Sequence, residues 1–256
     1  MYNICFYFFM FYCFSIFGWI VECIFCSIYQ KKIIHNRGFL IGPYCPIYGC
    51  GAMYMYFFLT RYYNEPITLF VMAVVGTSII EYITSFLMEK IFKARWWDYS
   101  DERFNIEGRI CLRNSVLFGV LGILFTYILS PFFIFVVLKI PEIFLIIISI
   151  ILFVLFLVDV ILTFSIMSNL KNKLFSIKKD STTDIDKQVR EILSKNTFYL
   201  RNLFNAFPKV KFSFPIGGEV IASVRKTLDG FDALRKERRK KIKELKKELK
   251  KKESKK

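Results

Sequence analysis

The sequence predicts an all-α polytopic membrane bundle of about five transmembrane helices, followed by a helical basic cytoplasmic tail. Three observations carry this. Hydrophobic residues make up 55% of the chain, 30 of them Phe, and they crowd into the region before residue 170. The net charge is nonetheless +16, and 14 of the 37 Lys and Arg fall between Arg235 and Lys256, so an apolar body and a basic tail need different solvents. Finally, basic residues recur on alternate connections between the apolar stretches, all on one side of an odd-numbered bundle.

A bilayer core of about 30 Å takes roughly 20 apolar residues at about 1.5 Å each. Five stretches qualify, at 4–29, 43–63, 66–88, 115–138 and 143–167, giving a transmembrane domain over 1–170 and a tail over 171–256. The first has no basic residues before it and outruns a signal peptide, which predicts a retained N-terminus. In the second, Pro43, Pro46 and Gly49 interrupt the opening turns, so an irregular, re-entrant lead-in is expected there, with Arg61 snorkelling at the far end. The third opens at Pro66, a kink is expected at Pro131 in the fourth, and the fifth is apolar apart from Asp159.

Orientation follows from Lys31, Lys32 and Arg37 in the first connection and six Lys/Arg from Lys90 to Arg113 in the third. These sit inside with the tail, which leaves the N-terminus outside and predicts a multi-pass cell-membrane protein. In the tail, Ile185, Val189, Leu193, Leu200, Leu203 and Phe207 recur at helical spacing before Pro208. From about Leu228 a Lys/Arg-rich helix follows, with Leu234, Ile242, Leu245 and Leu249 on a narrow stripe. It reads as solvated or held on anionic lipid of the inner leaflet; no nucleic-acid-binding motif is present.

Ionisable groups inside a bilayer need a partner or a cavity. Three occur, Glu22, Glu81 and Asp159, each about 10–12 Å inside the cytoplasmic end of its expected span. Two readings stand: the acids line a polar cavity open to the cytoplasm, or they pair with Arg37, Arg109, Arg113 and nearby hydroxyls to hold the bundle. The segment Asn36–Gly51 adds Gly38, Gly42, Gly49, Gly51, Pro43 and Pro46, so backbone requirements shape it. Trp96, Trp97 and Tyr99 read as an interfacial aromatic belt. The seven cysteines lie in or beside the apolar body without a metal-ligand array; neither metal nor cofactor is expected.

A duplication is also suggested. Gly18, Glu22, a basic loop and Asn36 precede span two, as Gly76, Glu81, a basic loop and Asn105 precede span four, a parallel repeat of two hairpins.

The ordered segments GWIVECIFCSI (Gly18–Ile28), NRGFLIGPYCPIYGCG (Asn36–Gly51), EYITSFLMEKIF (Glu81–Phe92), RWWDYS (Arg95–Ser100) and FNIEGRICLRNSVLFG (Phe104–Gly119) resemble a bacterial membrane family labelled putative type IV ABC-transporter permease. The resemblance covers about Phe14–Gly122. It implies a transporter component and points to Glu22, Asn36, Arg37, Gly38, Gly42, Pro43, Pro46, Tyr48, Glu81, Trp96, Asn105, Gly108, Arg109 and Ser115. Because the chain has no GxxxxGK[ST] loop, an ATPase would be a separate subunit, and a homo-oligomer could complete the path. Alternatives are a lipid-acting membrane enzyme, with a carboxylate base and Arg37 or Arg109 on a phosphate, and a scaffold recruiting partners through its tail.

Overall fold

The computed structural model describes residues 1–29, 36–175, 189–191, 197–207, 210–213 and 218–230, with positions 233, 237 and 241. The expected apolar stripe of the last helix, at Leu234, Ile242, Leu245 and Leu249, lies outside the described residues, as do Ile185 and Leu193.

Helix α1 runs Tyr2–Tyr29. Helix α2, Pro46–Tyr54, opens on a proline whose missing N–H costs nothing in a first turn. It continues through a π-helical turn at Met55–Leu59 and a 3₁₀ turn at Thr60–Tyr62. Helix α3, Pro66–Phe92, likewise starts on proline, and stops where Lys93 turns left-handed with its N–H on the Glu89 carbonyl. Helix α4, Leu112–Leu124, passes through a second π turn, Phe125–Leu129, into α5, Ser130–Val137. Pro131 has no N–H to donate, and the π turn immediately before it is the local adjustment that absorbs the defect. Helix α6 is Glu142–Phe175.

Among the described residues, four helical segments are long and apolar enough to cross a membrane: Tyr2–Ile28, Pro66–Phe92, Leu112–Val137 and Glu142–Leu174. The second expected span is a shorter rod, from residue 46 to 62, or about 25 Å at about 1.5 Å per residue. Only 11% of the most apolar window of α6 is buried, so nearly its whole circumference faces outward, as a helix in lipid does.

Helix α1 packs on α2 and α6, α3 packs on α4, and α2 lies between α1 and α3. Gly18 makes the first of these contacts possible: a Cβ there would stand 2.2 Å from the Tyr48 ring. The inner core is Met10, Phe14, Ala52, Met55, Leu59, Leu69, Ala73 and Phe125.

The two hairpins repeat one design. Each second helix is preceded by an extended cysteine, Cys45 or Cys111, and each is interrupted by a five-residue π turn. On α1, Phe11 and Ser15 face Gly49, while on α3 Phe70 and Val74 face Gly119. With the same spacing along each first helix, Glu22 follows Phe11 and Glu81 follows Phe70. Met55 and Phe125, which open the two π turns, meet in the shared core, so the halves face each other across it.

At the end of the bundle where α1, α3 and α6 terminate and α4 begins, called here the basic end, a second packed layer forms. Strand β1, Ala94–Arg95, pairs antiparallel with β4, Lys211–Phe212, from the tail. Strands β2, Asn105–Ile106, and β3, Ile110–Cys111, form a small hairpin before α4. Helix α7, Thr197–Ala206, and a helix over 218–230 supply Leu200, Leu203, Phe204, Val220, Val224 and Leu228. These bury against Phe92, Ala94, Trp96, Met167, Leu170 and Leu174. Trp96 is 2% exposed, so it is a core residue of this layer and not part of an interfacial belt.

Candidate functional site

The three acids occupy two settings. On α1, Glu22 Oε1 accepts the Tyr48 hydroxyl at 2.8 Å, and Oε2 accepts the Cys26 thiol at 3.4 Å. Arg37 Nε stands 3.7 Å from Oε2, so Glu22 has a cation beside it. On α3, Glu81 is 5% exposed, and its Oε1 accepts the Tyr99 hydroxyl at 3.2 Å. Its Oε2 is buried without a partner among the described residues. Tyr99 lies in the connection after α3, where its phenol is raised above its ordinary value by burial, then by the negative fields of Glu81 and Glu22. Glu22 and Glu81 therefore act on one neighbourhood, with a tyrosine bound to each.

A small cavity of about 70 Å³ lies beside these groups, walled by Phe14, Phe17, Ile47, Tyr48, Gly51, Met55, Thr77, Glu81, Phe118 and Phe125 among others. The two repeat halves enclose it between them. Among the described residues Glu81 brings the only acid to its walls, and hydrocarbon and aromatic faces make up most of the rest.

Asp159 serves a different purpose. Its Oδ1 accepts the Ile41 N–H at 3.0 Å and the Thr163 hydroxyl at 2.9 Å. Its Oδ2 accepts the Gly42 N–H at 2.7 Å and the Tyr44 hydroxyl. A carboxylate with four donors is compensated without a cation, and this one fastens the irregular lead-in to α6. Asn36 organises the other end of that segment, its Oδ1 accepting Trp19 Nε1 at 2.7 Å and the Gly38 N–H at 2.8 Å. Pro43 and Pro46 then turn the chain into α2, whose Tyr48 reaches Glu22. The tail closes over this segment: the Tyr199 hydroxyl donates to the Phe39 carbonyl at 2.7 Å, and Arg37 lies 5.7 Å from the Phe207 ring centre.

Arg109 is turned away from Glu81. It pairs with Glu89 at 2.8 Å and Glu107 at 3.3 Å, and donates to the Ser85 hydroxyl at 3.4 Å. Arg113 pairs with Glu102 at 3.4 Å. Asn105 Oδ1 accepts the Gly108 N–H at 3.0 Å, bracing the turn of the small hairpin. Gly108 has φ +66°, and a Cβ there would meet Asp98 and Ser100 at 2.5 Å, so both conformation and space demand glycine. Ser115 accepts from Ser78 at 2.7 Å across α3 and α4, outside the cavity beside Glu81. Gly49 faces Phe11 and Ser15.

Sequence reasoning missed Tyr99 as the partner of Glu81 and Tyr44 and Thr163 as partners of Asp159, because hydroxyls in apolar stretches read as packing or as belt.

No curated protein and no solved structure matches the chain. A family model does, over residues 9–164, which takes in both hairpins, the lead-in and Asp159. With more than half its length matched and several membrane-length apolar helices in place, the chain belongs to the family described as "Putative ABC-transporter type IV".

Proposed function

We propose that this chain is a transport-type membrane subunit in which Glu22 and Glu81 border a path open to the basic end, and that a separate ATPase subunit supplies any nucleotide hydrolysis. The observation that supports it best is Glu81 in the wall of a cavity between two repeat halves, its buried Oε2 without a partner among the described residues. A carboxylate that served only to hold helices together would be saturated, as Asp159 is. In this reading Asp159 keeps the lead-in in place, and Asn36, Arg37, Asn105, Arg109 and Ser115 frame the mouth. The basic end faces the cytoplasm of a cell membrane, with the N-terminus outside. There the tail gains about 1 kcal/mol per basic residue near an anionic leaflet. A second copy or another membrane subunit completes the path.

Glu22→Gln and Glu81→Gln should insert and fold normally yet fail to complement a strain lacking the chain. Full complementation by both overturns the path. Purification in mild detergent should bring down a nucleotide-hydrolysing protein.

A second reading, a regulator that works through its tail, is favoured by the pairing of β4 with β1 next to Tyr99. Deleting residues 176–256 separates the two: unchanged complementation rejects it.

A further inference from the structure

Phe207, just past the end of α7, touches both repeat halves at the basic end. Its ring centre stands 5.5 Å from that of Trp96, edge to face, and 5.7 Å from the Arg37 guanidinium carbon. Each contact leads to one of the two acids. Arg37 is the cation beside Glu22. Trp96 belongs to the connection that carries Asp98 and then Tyr99, the donor to Glu81. The tail also grips both sides through polar contacts. On the connection, β4 pairs with β1, Lys211 pairs with Asp98, and the Ser213 N–H donates to the Lys93 carbonyl at 2.8 Å. On the lead-in, the Tyr199 hydroxyl donates to the Phe39 carbonyl. The Val210 N–H donates to the Phe207 carbonyl at 3.2 Å, which ties the ring to β4.

This closed arrangement is incompletely satisfied. Both side chains against the Phe207 ring carry an orphan donor: Arg37 Nη1 and Trp96 Nε1 are buried without a hydrogen-bond partner among the described residues. Buried N–H groups without acceptors cost stability, and they recover it by reaching water once the group covering them moves away. The apolar layer opposes that movement. Opposed terms of this kind bring a closed and a lifted arrangement close in free energy. The fastening is shallow as well. Strand β4 has two residues, and the Lys211 side chain is 68% exposed, so water competes for its ion pair.

We infer that Phe207 and β4 form a strap across the basic end, latched by the Phe207 ring against Arg37 and Trp96, which lifts as one unit to let the two repeat halves move apart. The inference rests on the proposed path and makes the strap its gate.

Hydrogen exchange of the full-length chain in detergent, read by mass spectrometry, tests it. The amides of Gly38, Ile41 and Gly42 report on the lead-in, those of Tyr99 and Arg109 on the connection, and α1 before Phe14 is the reference. Lys211→Ala is the deciding variant, because this side chain is exposed and pairs with Asp98 on the connection. A single strap predicts that Lys211→Ala speeds exchange about threefold in the lead-in as well as in the connection, with α1 unchanged. Phe207→Ala removes the latch itself and should speed both regions at least about tenfold. For Lys211→Ala, acceleration confined to the connection, no acceleration, or acceleration that extends to α1 overturns the strap. Unchanged exchange in Phe207→Ala does so too. Complementation by Glu22→Gln and Glu81→Gln bears on the path alone, so failure of the path and failure of the strap are told apart.

Discussion

The Tyr99 hydroxyl donates to Glu81 Oε1 at 3.2 Å, while Oε2 of the same carboxylate is buried without a partner among the described residues. Among the described residues, this acid thus has a single hydrogen bond and no cation, in the wall of an apolar cavity. Tyr99→Phe removes that bond and should cost about 1–3 kcal/mol, because the carboxyl is left wholly unsatisfied. Glu81→Gln should leave the melting temperature unchanged or raised, since a neutral amide still accepts from Tyr99 and pays less for burial. Thermal unfolding of both variants in one detergent checks the pair; a lower melting temperature for Glu81→Gln than for Tyr99→Phe would contradict it.

Asp159 gives the opposite expectation. It has four donors, two of them consecutive backbone N–H groups of the lead-in. Asp159→Ala should destabilise by about 3 kcal/mol, given that hydrogen bonds to a charged group are worth roughly 1.5–3 kcal/mol and some donors regain water. Hydrogen exchange should accelerate at the amides of Ile41 and Gly42 before it does elsewhere. Uniform acceleration along α1 and α6 would instead mean that Asp159 supports the whole bundle.

Much of the bundle was legible in the sequence because lipid imposes a simple rule: apolar for about 20 residues, with Lys and Arg outside. Glu22, Glu81 and Asp159 stood out under the same rule, which makes a charge in an apolar run conspicuous. The rule says nothing about partners. Glu22 finds Tyr48, 26 positions on, and Asp159 finds Tyr44, 115 positions back, separations at which no local periodicity connects two residues. The duplication was visible in Glu22/Glu81 and Asn36/Asn105, whereas the paired π turns at Met55–Leu59 and Phe125–Leu129 had no composition to announce them. The second layer was half legible. The apolar spacing of Val189, Leu200 and Leu203 predicted a helix in the tail, but the burial of its apolar face against Trp96 and the ends of α3 and α6 follows only from the tertiary fold.

Gly18 and Gly51 make a matched pair of substitutions. A Cβ at Gly18 would collide with the Tyr48 ring at 2.2 Å, whereas one at Gly51 meets nothing within 4 Å. Gly18→Ala should therefore destabilise by about 1–3 kcal/mol through overpacking, and loosen the Tyr48–Glu22 bond with it. Gly51→Ala should be neutral or stabilising, since alanine is favoured over glycine in a helix interior by about 1 kcal/mol. Melting temperatures that move together would show that α1 and α2 are not in the close contact described.

The attachment of the tail has a pH signature. Asp98, in the connection between α3 and α4, joins that connection to the tail: it accepts the Ser100 N–H at 3.0 Å and the Ser100 hydroxyl at 2.5 Å, and it pairs with Lys211 of β4. Burial alone would raise the Asp98 carboxyl, but Lys211 and the two Ser100 donors outweigh it and hold the group at about 2, below its usual 3.8. A carboxylate depressed in the folded state contributes its stability above the unfolded value and loses it as pH falls through the folded one. The contribution should therefore be constant at neutral pH and disappear between about pH 4 and pH 2; discounted for solvent around the exposed Lys211, it is about 1 kcal/mol. Trp96, packed where β1 meets β4, reports on it by fluorescence. Acidification across that window should shift Trp96 emission to the red in the wild-type chain, and Asp98→Asn should show the shifted emission already at neutral pH with a flattened acid transition. An unaltered transition in Asp98→Asn would mean that the apolar layer holds the tail without the ion pair.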